Sequence, residues 1–311
     1  ALLSRVGVAC EAVDLSRAMG GGSGEEDPTI DDAFFERLID AIRSCITSHS
    51  NSCTLVVTGF IGMVPGSLLR VIGRGYSDLT AALVGAAIGA TELIVWKEVD
   101  GVFSGDPRHV PSAQKIDRLL PEEAAELTYY GSEVIHPLTM WRACAAGMLV
   151  RIASIHVGQG GTIISPDNLE MHQDDTTLHQ AAAVTIRDGI DVINVSSRSR
   201  LPANALLASL FVLCQEHRVQ VHLVATSRVD VSMAVDGGPA AATFAAAAAH
   251  LASCVVTRSP RLAIVSLVGR GMKRTVGMAG RVFGALAAAG VNIEMISQGA
   301  SEINISCVVD G

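Results

Sequence analysis

The sequence predicts an α/β domain with a mostly parallel sheet, followed by two α+β units that repeat one pattern. In the first half, short apolar runs of strand length alternate with amphipathic segments of helix length, an order typical of parallel sheets with helical crossovers. In the second half, a strand–helix–strand–strand pattern occurs twice. The polar stretch 166–180 separates the two halves and is predicted to be a linker.

The elements of the first half follow from local signals, taken in chain order. Residues 9–14 predict a strand, and Asp31 is placed to cap the helix that follows it. The apolar run 53–58 predicts a strand that is buried on both faces of a parallel sheet. Ser77 or Asp78 is expected to cap a helix that ends at Gly89. The remaining predicted elements are the strand 93–96, helices that begin at Pro121 and at His136-Pro137, and the strands 149–153 and 162–164.

The second half contains one pattern twice. Residues 219–236 align with residues 291–310, and each of these strand pairs follows a helix that is itself preceded by a strand. Strand–helix–strand–strand is three quarters of a ferredoxin-like unit. The second copy is therefore expected to lack its last helix and strand. The predicted domains are residues 1–165, 181–258 and 259–311.

The composition argues against several classes of function. The net charge is −8 and no basic run occurs, so nucleic acid is not expected as a partner. None of the seven cysteines forms a Cys-x-x-Cys pair, which predicts thiols in a reducing, cytoplasmic compartment and no metal site. Although the mean hydropathy is +0.40, no apolar run approaches the roughly 20 residues that span a membrane.

Two segments of the first half contain polar and charged side chains in patterns typical of ligand binding. Residues 73–78, Gly-Arg-Gly-Tyr-Ser-Asp, place a guanidinium, a hydroxyl and a carboxylate on a glycine-containing turn at a helix start. Residues 96–108, Trp-Lys-Glu-Val-Asp-Gly-Val-Phe-Ser-Gly-Asp-Pro-Arg, lead from a strand into a charged loop. Arg binds a carboxylate through two charge-assisted hydrogen bonds, and Asp pairs with an ammonium group. A cradle of this kind holds a small zwitterion beside a nucleotide.

Five motifs in one order make the sequence similar to the fungal aspartate kinases (aspartokinases). Besides residues 73–78, they are Trp-Lys-Glu-Val-Asp-Gly, Asp-Pro-Arg, residues 126–137 and residues 292–299, and the loop 59–62 resembles the family's substrate-side loop. The resemblance implies an amino-acid-kinase fold, present in part, followed by tandem ferredoxin-like ACT domains. It implies transfer of phosphate from ATP to the side-chain carboxylate of L-aspartate, which gives 4-phospho-L-aspartate on the route to threonine and methionine. It also implies a homo-oligomer formed through the ACT domains.

The resemblance also implies sites for three ligands. It implies that Arg74, Ser77 and Asp78 bind L-aspartate. It implies that a longer set of residues binds ATP with Mg²⁺: Lys97, Glu98, Asp100, Phe103, Ser104, Asp106, Arg108, Glu133 and Val134. It implies that an end-product amino acid, threonine in fungal members, binds at Thr226, Ser227, Val231, Asn292, Ile293 and Gln298.

These assignments have alternatives and departures. Lys97 also fits a solvated charge at a strand end, and the effector residues also fit strand ends and turns. His136 is better explained as a packing residue at a helix start than as an acid or base. Bacterial relatives carry Lys at the position of Glu133, and relatives carry Glu at the position of Arg228.

The chain begins at Ala1 and contains no Lys-Phe-Gly-Gly-Thr-Ser segment, whose lysine contacts the transferred phosphate in the family. We therefore expect a fragment of a longer protein, assign no catalytic residue, and expect little kinase activity from these 311 residues alone. A non-catalytic regulatory protein with ACT domains is the main alternative. An amino-acid-kinase fold that acts on glutamate, carbamate or a nucleotide is disfavoured by the repeat and by the Tyr76 and Trp96 motifs.

Overall fold

The computed structural model describes residues 2–16, 31–49, 52–61, 75–129, 135–156, 160–165, 183–197, 203–251, 254–270, 272, 275–298 and 303–311. These residues form two compact units. The first comprises the described residues of 1–103 and 112–171, and the second those of 104–111 and 172–311. Among the described residues, no helix has both the length and the apolar character needed to cross a membrane.

The first unit alternates strands and helices, and its strands pair mostly in parallel. In chain order the elements are α1 (Leu2–Arg5), β1 (Cys10–Val13), α2 (Asp32–Thr47), β2 (Thr54–Val57), α3 (Tyr76–Ile88), β3 (Glu92–Lys97), β4 (Val102–Phe103), β5 (Lys115–Ile116), β6 (Arg118–Leu119), α4 (Pro121–Tyr129), α5 (Pro137–Ala145), β7 (Leu149–Ser154) and β8 (Thr162–Ile164). β1 pairs in parallel with β2, β3 with β7, and β6 with β8, whereas β7 and β8 are antiparallel and β4 and β5 form a short antiparallel ladder. The predicted mostly parallel α/β arrangement is confirmed.

The core of this unit forms where α2 and α3 cover β1 and β2. Asp31 caps α2 as predicted, since its Oδ1 accepts a hydrogen bond from the backbone N–H of Phe34 at 2.8 Å. The apolar face of α2 then packs against α3, with Leu38 and Leu83 fully buried. Arg142 of α5 lies over the ring of Phe35 at 4.1 Å, which ties a third helix to the same core.

The sequence-based expectation that β2 is buried on both faces is wrong within the described residues. Side chains alternate along the strand, and Val56 is 47% exposed while Leu55 and Val57 pack against the core. β3 shows the same alternation, because Ile94 and Trp96 are exposed while Leu93 and Val95 are buried. The apolar run was correctly interpreted as a strand, but within the described part of the unit helices cover only one of its faces.

The start of α3 also differs from expectation. The N-cap is Gly75 rather than Ser77 or Asp78, and the helix already includes Tyr76. Gly75 has φ of 91°, a left-handed conformation that favours glycine, and it makes no side-chain cap. The carboxylate of Asp78 therefore stays available for other contacts. The predicted end of the helix at Gly89 is confirmed, and Gly89 is also left-handed.

The second unit is a single six-stranded antiparallel sheet with three helices among its described residues. In chain order the elements are β9 (Ala183–Ser197), α6 (Ala203–Glu216), β10 (Val221–Thr226), β11 (Asp230–Asp236), α7 (Pro239–Ala249), β12 (Cys254–Val268), α8 (Met278–Ala288), β13 (Ile293–Ser297) and β14 (Asn304–Asp310). The strand order in the sheet is β10-β11-β9-β12-β14-β13. The repeat predicted from the sequence is confirmed, since each copy runs strand–helix–strand–strand.

Two long strands, β9 and β12, are shared between the copies. Their pairing runs from Cys254 opposite Ser197 to Val268 opposite Ala183, with register shifts around residues 259–264. The first part of β12 completes the first copy as its fourth strand. The first part of β9 occupies the equivalent place beside the second copy, so the strand that this copy was expected to lack is supplied from earlier in the chain.

A buried carboxylate holds the irregular point between these strands. Asp191 of β9 accepts hydrogen bonds from Arg258 Nε at 2.7 Å and from the backbone N–H of Arg261. Arg261 has φ of 65°, which is uncommon for a residue with a side chain. The ion pair and the backbone bond therefore stabilise the place where β12 passes from one copy to the next.

We predict that Phe244→Ala destabilises the second unit by about 3–5 kcal/mol, because the substitution leaves a cavity in the core. Phe244 of α7 is fully buried against the first copy of the repeat. The matched control is Phe211→Ala on α6, which removes a ring that is 47% exposed and is expected to cost less than about 1 kcal/mol. Urea denaturation of both variants measures the difference, and equal losses would contradict this packing.

We also predict a pH dependence that originates at His136. Its Nδ1 accepts a hydrogen bond from the backbone N–H of Leu138 at 3.2 Å and so caps α5. Burial lowers the pKa of His136 below its ordinary value of 6.5. Because the folded state favours the neutral ring, its contribution to stability is present above the unfolded pKa and is lost as the pH falls below it.

The test of this prediction compares the wild type with His136→Asn, whose side-chain oxygen can accept the same bond without titrating. Between pH 7.5 and 5.5 we expect the wild type to lose more stability than the variant in thermal or urea denaturation. Burial lowers the pKa of His222 as well, but this residue is present in both proteins and its effect cancels in the comparison. Parallel pH profiles would exclude the role of His136.

Candidate functional site

The carboxyl end of β3 and the first turn of α3 lie side by side in the first unit. An ion pair joins them, with Lys97 Nζ 2.9 Å from Asp78 Oδ2. The side chains are 32% and 18% exposed, respectively, so the pair lies at the rim of the unit rather than in bulk solvent. The structure thus brings together one predicted residue of the aspartate set and one of the ATP set.

The loop after β2 fixes the first turn of α3. The hydroxyl of Thr80 donates to the backbone carbonyl of Gly59 at 3.0 Å. A side chain at Gly59 would crowd Ser77, since a Cβ atom there would lie 3.3 Å from the Cβ of Ser77. The ring of Tyr76 lies against Phe60, with centroids 6.1 Å apart. The predicted substrate-side loop and the predicted aspartate residues are therefore neighbours.

The charges where the first turn of α3 meets the end of β3 favour the binding of a zwitterion. Asp78 stands in the first turn of α3, where the helix dipole stabilises an anionic side chain. Ser77, the residue before Asp78, is exposed, and the ammonium group of Lys97 contacts the Asp78 carboxylate. A carboxylate, a hydroxyl and a cation at the carboxyl end of a parallel strand provide complementary groups for a ligand that carries both charges.

The loop that follows β3 is held by a hydroxyl that was not singled out in the sequence. Thr162 of β8 accepts a hydrogen bond from the backbone N–H of Val102 at 2.7 Å and donates one to the carbonyl of Ile116 at 2.6 Å. A side chain at Gly101 would clash with this hydroxyl. The loop therefore has one close backbone contact that only glycine permits.

The acidic side chains of the loop after β3 differ in their exposure to solvent. Glu98 is exposed, whereas Asp100 is half-buried and pairs with Lys115 at 3.2 Å. Asp100 Oδ1 is buried and has no hydrogen-bond partner among the described residues. Phe103 lies in β4 opposite Lys115. Lys115, which the sequence analysis did not assign to any site, is thus adjacent to two predicted ATP residues.

The Asp-Pro-Arg motif forms a compact ion pair within the residues 104–111, which group with the second unit. Asp106 accepts hydrogen bonds from Arg108 Nη2 at 2.7 Å and Arg108 Nε at 3.0 Å, and it contacts His109. Hydrogen bonds from Arg108 hold the pKa of Asp106 well below its ordinary value and raise the pKa of Arg108. Arg108 itself is 84% exposed. The carbonyl of Ser104 accepts a bond from the N–H of Val184 at 2.9 Å.

The predicted effector residues occupy turns, strand ends and core positions of the second unit. Ser227 shapes the turn between β10 and β11, since its hydroxyl donates to Asp230 at 3.1 Å and accepts from the N–H of that residue at 3.0 Å. Asn292 donates to Glu294 at 3.1 Å beside β13. Val231 is fully buried in the core of the first copy, and Ile293 packs against the core of the second copy. Thr226 and Gln298 are exposed at strand ends.

Three predicted residues, Arg74, Glu133 and Val134, lie outside the described residues. Within the described part, no group of three or more His, Cys, Asp or Glu side chains is arranged to hold a metal ion. All seven cysteines are described, and none of them forms a disulfide.

Comparison with known proteins matches a segment at each end of the chain to a protein family. Residues 1–154 match the amino acid kinase family and residues 265–311 match an ACT domain. The whole chain aligns with aspartokinases of Schizosaccharomyces pombe and Saccharomyces cerevisiae, at 44% and 41% identity. It spans 63% of the length of each.

Solved structures give the same result. Escherichia coli aspartokinase III in complex with aspartate and ADP is similar over the whole chain, with a TM-score of 0.77, 27% identity and 68% of that protein covered. The same enzyme in complex with lysine and aspartate gives a TM-score of 0.75. The predicted fold class, a kinase-type α/β domain followed by ACT-type units, is confirmed. This chain belongs to the aspartokinase family.

Proposed function

We propose that the protein to which this chain belongs is an ATP-dependent aspartate kinase that phosphorylates the side-chain carboxylate of L-aspartate. The observation that carries the proposal is the Lys97–Asp78 pair, at the point where the end of β3 meets the start of α3. Carboxyl ends of parallel strands are the usual ligand-binding edge of α/β folds. The related E. coli enzyme binds aspartate and ADP.

The amino acid binds by charge complementarity. Asp78 pairs with the α-ammonium group, Arg74 binds the α-carboxylate through its guanidinium, and the hydroxyl of Ser77 donates to the substrate. The side-chain carboxylate of aspartate is then directed toward the nucleotide. It attacks the γ-phosphorus of ATP in line, a P–O bond to ADP breaks, and 4-phospho-L-aspartate forms without a covalent enzyme intermediate.

The nucleotide binds along the loop that follows β3. We assign Lys97 and Arg108 to the phosphates, because phosphoryl transfer depends mainly on positioning and on neutralising charge. Phe103 supplies an apolar contact for the base. Glu98, Asp100, Ser104, Asp106, Glu133 and Val134 complete the proposed set.

The oxygen-rich loop also fits Mg²⁺, which prefers carboxylate and phosphate oxygens. The buried Asp100 Oδ1 and the exposed Glu98 carboxylate are the groups that would hold it. When bound with ATP, the ion neutralises phosphate charge. Arg74, Ser77 and Asp78 orient the L-aspartate substrate.

We predict that Asp78→Asn lowers aspartate affinity by at least about tenfold, since it removes the charge that pairs with the substrate ammonium group. Isothermal titration calorimetry of L-aspartate into the intact protein measures this, together with a kinase assay that detects acyl phosphate. The matched control is Asp40→Asn on the exposed face of α2, whose partner is Arg43 one helical turn away. Unchanged aspartate binding in Asp78→Asn would contradict the proposal.

The ACT-type repeat is proposed to bind an end-product amino acid, threonine being the first candidate, and to form a homo-oligomer. The E. coli relative binds lysine, which supports an amino acid as effector. Asn292 and Gln298 are exposed and polar beside the edge strand β13, so they supply the contacts in the second copy. Thr226 and Ser227 supply them in the first copy, and the buried Val231 and the partly buried Ile293 act through packing. The cysteines, which form no disulfide, fit a reducing compartment such as the cytoplasm.

We predict that Asn292→Ala weakens threonine binding about tenfold, because a hydrogen bond to the ligand is lost, while aspartate affinity stays the same. Calorimetric titration with L-threonine and L-lysine measures both the effector's identity and the change. Asn204→Ala, a matched substitution at an exposed position of α6, is the control. Effector binding by a protein that binds neither aspartate nor ATP would favour the non-catalytic regulatory protein.

A further inference from the structure

The ion pair of Lys97 and Asp78 places a protein cation on the carboxylate that is proposed to receive the substrate ammonium group. Nζ of Lys97 is 2.9 Å from Asp78 Oδ2, which is direct hydrogen-bond contact. Only 18% of the Asp78 side chain is exposed, so the approach to this carboxylate is narrow. A second cation cannot take the same position unless Lys97 moves.

Lys97 also stands where it can reach another anion. It is the last residue of β3 and leads directly into the loop assigned to the nucleotide. Between Trp96 and Pro107 the sequence contains Glu98, Asp100 and Asp106 but no cation other than Lys97. A polyphosphate at this strand end therefore meets Lys97 as its nearest positive side chain along the chain.

The lysine side chain suits an exchange of partners. It carries a compact charge on a flexible four-carbon stem, and this one is about one-third exposed. Asp78, in contrast, sits in the first turn of a helix whose start is fixed by Gly75 and by the bond from Thr80 to Gly59. The carboxylate is the stationary member of the pair and the ammonium group is the movable one.

We propose that Lys97 couples the two substrate sites by exchanging partners. It pairs with Asp78, as in this structure, until the phosphates of a nucleotide attract it. It then releases Asp78, which receives the ammonium group of the amino acid. This inference rests on the proposed function and adds to it a positive coupling between the two substrate sites: nucleotide binding strengthens amino-acid binding. Because binding free energies are linked, the amino acid strengthens nucleotide binding by the same factor.

Calorimetric titrations of the intact protein test this coupling. L-aspartate is titrated without nucleotide and with saturating Mg-ADP, for the wild type, Lys97→Met, Lys97→Gln and Lys97→Arg. In the wild type we expect Mg-ADP to tighten aspartate binding at least about fivefold, the lower end of ordinary allosteric coupling. In Lys97→Met and Lys97→Gln we expect tighter aspartate binding without nucleotide than in the wild type, and less than a twofold effect of Mg-ADP. Lys97→Arg, which keeps the charge, should retain most of the coupling.

The outcomes separate this inference from the proposed function. Full coupling in Lys97→Met or Lys97→Gln overturns the exchange of partners, as does weaker aspartate binding by these variants without nucleotide, because that result makes Lys97 a purely structural partner of Asp78. Absence of aspartate binding by the wild type in both conditions overturns the proposed function itself. Coupling that disappears in the two neutral variants and persists in Lys97→Arg supports the inference.

Discussion

The pairing of β9 with β12 is the constraint on which the second unit depends. Each strand is 15 residues long, and each serves both copies of the repeat. The second copy completes its sheet only with the first part of β9, which precedes the first copy in the chain, and the long pairing of β9 with β12 joins the two copies. The unit is therefore one cooperative sheet rather than two domains in series, and the Asp191 contacts stabilise the irregular point that this sharing requires. The helices α6, α7 and α8 then bury the apolar sides of strands whose positions are already determined.

The first unit depends on a more local arrangement. A left-handed glycine begins α3 without a side-chain cap, and this frees the carboxylate of Asp78 from the role that the sequence suggested for it. The same carboxylate then bridges to β3 through Lys97. Because the left-handed Gly75 is the N-cap, Asp78 lies in the first turn of α3 and its carboxylate does not cap the helix. The carboxylate can therefore contact a ligand.

Most elements were predictable from sequence because they depend on local signals. The cap at Asp31, the helix start at Pro121 and the left-handed end at Gly89 each follow from one residue type in one position. The Lys97–Asp78 pair was not predictable, because its members are 19 residues apart in sequence and meet only through the tertiary fold. The sharing of β9 is a pairing between distant segments and leaves no local pattern. The one-sided burial of β2 also escaped prediction, because an apolar run records the composition of a strand but not which of its faces is covered.

The hydroxyl of Thr162 has a consequence for the thermodynamics of ligand binding. It joins the loop after β3 to both β5 and β8, and it fills the space that Gly101 leaves open. Ordering a flexible backbone costs about 1–2 kcal/mol per residue at room temperature. Because this loop is already held at its far end, a ligand that binds along it loses little affinity to chain entropy. A single threonine in the short strand β8, remote in sequence from the loop, thereby preorganises it.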